Sequence, residues 1–133
     1  MADRSGPQSV FWVLFSLQGR IRRATYGWSM ALIFCIWWFA LSQVLAVGEG
    51  SDLFETWLLI FGLVVLVSGY CIYAPCHKRI HDLGHRGTYA LLLVVAAFFF
   101  SGLLFIPLVL LGILKGQPKT NAYGPPPVFE DKS

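Results

Sequence analysis

The chain has 133 residues, of which 56% are hydrophobic, 16% aromatic and only 13% charged, and its formal net charge is +3. A soluble domain carries about 25% charged residues, and a domain this small cannot bury so much apolar surface. The composition argues against a soluble enzyme and against a disordered chain, which needs low hydrophobicity and high charge. It favours an all-α integral membrane protein, for which we expect no nucleic-acid partner.

The N-terminal region begins with a short apolar run, 10–17, which is followed by Arg20, Arg22 and Arg23. The run is too short to cross a bilayer. We therefore predict that this run is an interfacial helix on the inner leaflet, within an interfacial segment that extends over 10–26. Packing of the same apolar face against the rest of the protein is the alternative.

Three long stretches without charge follow, at 28–47, 57–76 and 89–114. At 1.5 Å per residue the first two each extend about 30 Å, which is the thickness of the hydrocarbon core. We predict that they are transmembrane helices, because a helix satisfies its own backbone in lipid.

The third uncharged stretch, 89–114, is longer and contains Pro107. It is either one kinked span or a re-entrant hairpin of two half-helices. We favour the single span, since half-helices in a bilayer need protein packed around them. The predicted fold is therefore a small bundle of three transmembrane helices, or four if the last segment is a hairpin.

The charges predict the orientation of the bundle. Lys and Arg precede the first span and occupy the loop 77–88, whereas the loop 48–55 contains three acidic residues and no Lys or Arg. The positive-inside rule then places the N-terminus and the loop 77–88 in the cytoplasm. The Pro- and Gly-rich polar tail, 115–133, has three lysines that favour the cytoplasm. Three simple spans would put it outside, so its side stays open.

We expect the second span to continue as a helix beyond residue 76 and to end at Gly84, a residue that readily takes a left-handed cap. On such a helix Lys78 and Asp82 lie at i and i+4 and are predicted to pair. Arg79 then points elsewhere and is free to contact a headgroup phosphate.

Three histidines, His77, His81 and His85, follow at intervals of four residues. Gly84 should break the helix before His85, so the three side chains should not share one face. Zinc needs at least three ligands, and we predict no metal site. No cofactor is predicted either.

Six cations at the cytoplasmic end form a basic collar. Each is worth about 1 kcal/mol near an anionic leaflet, although the positive-inside rule produces the same pattern in most inner-membrane proteins. The specific hypothesis is that arginines clamp a lipid phosphate bidentately. The collar comprises Arg20, Arg22, Arg23, Lys78, Arg79 and Arg86.

Ordered motifs connect these regions. They are Phe15-x-x-x-Gly19-Arg20-x-x-Arg23-x-x-Tyr26, Arg79-x-His81-Asp82-x-Gly84, Ile106-Pro107 and Asn121-x-Tyr123-Gly124-x-x-Pro127. Over residues 11–127 the set resembles the DUF805 family of small bacterial inner-membrane proteins. That family has no known function, so the resemblance implies a multi-pass protein of the bacterial inner membrane and no reaction.

The resemblance also marks residues by position: Gly19, Arg20, Arg23, Tyr26, Arg79, His81, Asp82, Gly84, Asn121, Tyr123 and Gly124. The chain departs from the family at Thr25, where members often have an acidic residue. If that acid normally pairs with a motif arginine, one arginine here is free or held by lipid.

The sequence thus favours a non-catalytic membrane module that binds anionic lipid, a membrane-protein partner or a second copy of itself. The candidate binding residues are Arg20, Arg23, Tyr26, Arg79, His81, Asp82, Asn121 and Tyr123. One alternative is an oligomeric transport or channel component, which is weakened because no predicted span carries an ionisable residue at mid-depth. Another is a membrane-interface enzyme with His81 as base, for which no nucleophile is evident.

Overall fold

The computed structural model describes residues 9–99 and 105–127. Its helices are α1 (Val10–Phe15), α2 (Arg23–Val47), α3 (Asp52–Asp82), α4 (Thr88–Phe99) and α5 (Phe105–Ile113). Within the described ranges, β-type pairing is limited to an isolated bridge between Asn121 and Gly124. The prediction of an all-α fold is therefore confirmed.

The antiparallel helices α2 and α3 contain the first two predicted spans, and both are long and apolar enough to cross a membrane. Only 22% of the most apolar window of each helix is buried inside the protein. Large side chains such as Trp38 and Leu66 are more than 70% exposed. Exposed apolar area on this scale is unfavourable in water and typical of helices that face lipid.

Helix α3 extends beyond the predicted span, as expected. It begins at an N-cap, where the Ser51 side chain accepts a hydrogen bond from the Leu53 amide, and Asp52 and Glu55 lie in its first turn. Acidic side chains there complement the positive end of the helix dipole. The helix ends at Asp82, and Gly84 follows with φ +82°, in the left-handed region that glycine tolerates.

The described part of the segment 89–114 is divided between two short helices, α4 and α5. Helices α4 and α5 have 12 and 9 residues, which at 1.5 Å each give about 18 and 14 Å. Gly87, before α4, lies against the His77 ring, and the Leu114 carbonyl, after α5, accepts a hydrogen bond from Arg79. Both outer ends of the segment therefore lie beside the end of α3, and the chain doubles back.

The physical reason is that this hairpin has the protein contacts which the sequence alone did not reveal. Helix α5 packs against both α2 and α3. The buried Tyr26 hydroxyl donates a 2.8 Å hydrogen bond to the Leu108 carbonyl. These contacts hold α5 against the two long helices.

The apolar run at the start of the predicted interfacial segment 10–26 forms helix α1. Helix α1 ends at Phe15, and the last residues of the predicted segment belong to α2. Val13 is buried, and the buried Lys78 ammonium binds the carbonyls of Trp12 and Val13, which fixes α1 on α3. Phe11 on the opposite face is 72% exposed. The packing alternative therefore describes α1 better.

Candidate functional site

A buried carboxylate lies at the polar end of α3, between two buried arginines. The Oδ1 atom of Asp82 is 2.8 Å from Nη2 of Arg20, and Oδ2 accepts a hydrogen bond from Arg79. The exposed fractions are 3% for Asp82, 4% for Arg20 and 1% for Arg79. We call Arg20, Arg79 and Asp82 the ionic cluster. The predicted pair of Lys78 with Asp82 is wrong, because the two arginines occupy the carboxylate.

Arg79 uses its remaining donors inside the protein. Its Nε donates a 2.8 Å hydrogen bond to the Leu111 carbonyl, and Nη2 donates to the Leu114 carbonyl. The last carbonyls of a helix have no intrahelical partner and form its negative end, so they attract a cation. The prediction that Arg79 is free to contact a headgroup is therefore wrong.

Lys78 is fully buried at the end of α1. It donates to the carbonyls of Trp12 and Val13, and its Nζ lies 3.8 Å from the centre of the Trp12 ring. Like Arg79, this cation is held by carbonyls near a helix C-terminus. The ends of α1 and α5 thereby converge on the end of α3.

Arg20 joins the ionic cluster to the tail. Its Nη1 donates to the carbonyls of Lys119 at 3.0 Å and Gly124 at 3.2 Å, and its Nη2 donates to the Gln117 carbonyl. The backbone amide of Gln117 in turn donates a 2.9 Å hydrogen bond to the backbone carbonyl of Asp82. The tail is non-helical across 115–127, and 128–133 lie outside the described residues.

The two polar motifs around His81 and Asn121 meet directly. The Asn121 side chain donates a 2.9 Å hydrogen bond to the His81 carbonyl, and the rings of His81 and Tyr123 stack 3.8 Å apart and nearly parallel. The Asn121 Oδ1 atom accepts from the Tyr123 amide, which fixes the turn. The tail therefore lies at the same end of the bundle as the N-terminal motif.

The structure separates Arg23 from the other candidate residues. Arg23 is exposed and donates a long 3.5 Å hydrogen bond to the Ile113 carbonyl. Tyr26 is 2% exposed and serves the packing of α5. Thr25 stands where family members often have an acidic residue. Neither Arg20 nor Arg79 is unpaired as a result, because both bind Asp82.

A cavity of about 380 Å³ opens beside the ionic cluster. The rings of His77 and His81 pack edge to face with their centres 4.2 Å apart. Among the described residues, the buried side-chain polar atoms without a hydrogen-bond partner are the Nδ1 atoms of these two histidines. The cavity is lined by Leu17, Gln18, Gly19, His77, His81, Ala122 and Tyr123.

Both imidazoles lie beyond the uncharged stretch 57–76, at the polar end of α3. Burial lowers the pKa of His81, and the neighbouring His77 lowers it further, against an opposing hydrogen bond with the Gly19 backbone. Burial also lowers the pKa of His77, and the charge of Lys78 adds to this effect. Both shifts disfavour the protonated form of the rings.

The described residues contain no group of three or more His, Cys, Asp or Glu side chains that could hold a metal ion. The sequence analysis did not include His77, Gln18 or Ala122 among the binding residues. The only signal for His77 was its spacing of four residues from His81, which places both on one face of a helix. The tail that closes the cavity is not foreseeable from such local spacing.

Comparison with known proteins gives one finding. Residues 14–125 match the family model described as "Protein of unknown function (DUF805)". No curated protein and no solved structure matches the chain significantly. The matched region includes α2, α3, α4, α5 and the ionic cluster, and the chain belongs to the DUF805 family.

Proposed function

We propose that this protein is a multi-pass protein of the bacterial inner membrane that binds anionic lipid headgroups at its cytoplasmic end. In this proposal α2 and α3 cross the bilayer. The hairpin of α4 and α5 enters from the cytoplasmic side and reaches about half of the 30 Å hydrocarbon core. The short helices of such a hairpin are tolerated in lipid where they pack against protein, as α5 does against α2 and α3.

The observation that carries the proposal is the separation of exposed charge between the two ends of α2 and α3. Exposed acidic residues lie around the turn between these helices: Glu49, Asp52 and Glu55. Exposed cations lie at the opposite end: Arg23, Arg86, Lys115 and Lys119. The positive-inside rule assigns the basic end to the cytoplasm, where the leaflet surface is negative.

The basic collar divides into two groups with different tasks. Arg20, Lys78 and Arg79 are buried and bind internal acceptors, so we assign them to the architecture of the polar end. The lipid-binding surface is formed by the exposed cations. Each contributes about 1 kcal/mol near an anionic leaflet.

Neutralising three exposed cations tests this proposal. We expect Arg86→Gln, Lys115→Gln and Lys119→Gln together to reduce the preference for phosphatidylglycerol over phosphatidylcholine by up to about 100-fold, since 1.4 kcal/mol corresponds to a factor of ten. The retained lipids are counted by native mass spectrometry of the full chain released from mixed-lipid nanodiscs.

The matched control removes exposed charge at the other end, with Asp52→Asn and Glu55→Gln. This variant should keep the lipid preference of the unchanged protein. Equal lipid retention by the triple variant and the unchanged protein would reject the proposed surface.

A further inference from the structure

Buried positive charges outnumber buried negative charges at the polar end of α3. Among the described residues, the buried charged side chains are the cations Arg20, Lys78 and Arg79 and the single carboxylate of Asp82. Carbonyls at helix C-termini supply only about half a negative charge per helix. The polar end of α3 is therefore electropositive on balance, and an anion placed there would be stabilised.

The residues that line the cavity adjoin the ionic cluster along the chain. Three of them are chain neighbours of residues that carry or bind the cluster: Gly19 precedes Arg20, His81 precedes Asp82 and Tyr123 precedes Gly124. A volume of about 380 Å³ falls at the lower end of the range for small-molecule sites.

Two of the residues that line the cavity have a ring nitrogen that is not in use. His81 is 8% exposed, and the Nδ1 atoms of His81 and His77 have no hydrogen-bond partner. A buried polar atom left unsatisfied costs about 1–3 kcal/mol, so such atoms in a native protein call for a partner. A protonated imidazole donates from both ring nitrogens and forms strong hydrogen bonds to phosphate oxygens.

We propose that the cavity between His77, His81 and Tyr123 is a binding site for a phosphate group, supplied by a lipid headgroup or by free phosphate. The headgroup source rests on the proposed function, whereas the free-phosphate source does not. The bound anion offsets the excess of buried positive charge and accepts hydrogen bonds from the imidazoles. Ala122 and Tyr123 make the tail the outer wall of the site.

Binding and protonation are coupled in this proposal. The ring of His81 contacts the rings of His77 and Tyr123. Asp82 follows His81 in the chain and binds the guanidinium of Arg20, and the cation Lys78 follows His77. Burial keeps the pKa of His81 low in the empty site. A phosphate group favours the charged ring, so binding raises this pKa and is tighter at lower pH.

The test follows the histidines of the full chain by ¹⁵N NMR in nanodiscs. One arm adds inorganic phosphate to nanodiscs of phosphatidylcholine, and the other replaces part of the lipid with phosphatidylglycerol without free phosphate. We expect the His81 titration midpoint to rise by about one unit in at least one arm, which corresponds to tenfold tighter binding by the protonated ring. The exposed His85 reports the general surface potential in the same spectra.

Two variants separate binding from folding. His81→Gln should weaken binding of inorganic phosphate at least about tenfold, and His85→Gln should not. Ala122→Leu fills the cavity from an exposed position without removing an imidazole, so it should abolish the His81 shift while the melting temperature stays unchanged.

The arms also identify the source. A shift with inorganic phosphate alone assigns the site to free phosphate, and a shift with phosphatidylglycerol alone assigns it to the headgroup. The proposal is overturned if His81 moves no more than His85 in both arms, or if Ala122→Leu leaves the shift intact. If His81 responds to phosphate while the triple variant keeps the lipid preference of the unchanged protein, only the proposed lipid-binding surface is rejected.

Discussion

Replacing Asp82 with Asn is expected to lower the free energy of unfolding by about 3–5 kcal/mol, the largest effect of any single charge removal in this chain. The carboxylate is 3% exposed and binds both Arg20 and Arg79. Its loss leaves two buried guanidinium groups without their counter-charge. Unfolding of the purified protein in mixed micelles with increasing SDS, followed by tryptophan fluorescence, measures the change.

The matched control is Asp52→Asn, the same chemical change at an exposed position in the first turn of α3. An acidic residue at a helix N-terminus is worth about 0.3–1 kcal/mol, so this variant should lose far less. If both variants lost the same amount, the ionic cluster would not be a major source of stability.

Replacing Gly116 with Ala is expected to destabilise the protein by about 1–3 kcal/mol, the range for steric overpacking. A methyl group built on Gly116 would overlap the carboxylate of Asp82. The carboxylate cannot move away freely, because Arg20 and Arg79 hold it from two sides. The tail must therefore shift, and the same SDS titration detects the loss.

Gly62→Ala provides the control for this substitution. Gly62 lies within α3, and a methyl group there would meet no atom within 4 Å. Alanine is favoured over glycine in a helix interior by about 1 kcal/mol, so this variant should be neutral or more stable. Gly116→Ala with unchanged stability would mean that the tail does not close over Asp82 as described.

The two long helices were predictable because hydropathy is a local signal. An uncharged stretch of about 30 Å length has one stable backbone solution in lipid, and both 28–47 and 57–76 lie within observed helices. The end of α3 was equally predictable, since Gly84 interrupts a helix for reasons of its own conformation. These features need no knowledge of distant contacts.

The hairpin was not predictable from the same signal. The stretch 89–114 is uncharged throughout, so hydropathy does not distinguish one long span from two short helices. The contacts that decide the matter come from elsewhere in the chain, namely Tyr26 on the Leu108 carbonyl and Arg79 on the Leu111 carbonyl. Periodicity within the segment carries no information about them.

The same limit explains the candidate site. Helical spacing predicted a pair of Lys78 with Asp82, but Asp82 binds Arg20, which is 62 residues away in the chain. Five of the residues that the family resemblance marks by position lie close together in the structure, namely Arg20, His81, Asp82, Asn121 and Tyr123. The resemblance did not indicate that Arg20 is buried, because burial depends on how the tail folds back.

The return of the tail to the end of α3 is the central claim of this account, and the sidedness of the C-terminus tests it most directly. Fluorescent-protein and alkaline-phosphatase fusions to each terminus, and into the turn 48–51 as the control for the opposite face, are compared in a bacterial host. The account predicts a fluorescent, phosphatase-negative C-terminus, on the same side as the N-terminus, and a phosphatase-active turn. A phosphatase-active C-terminus with a cytoplasmic N-terminus would contradict it, because the tail could then not bind Arg20.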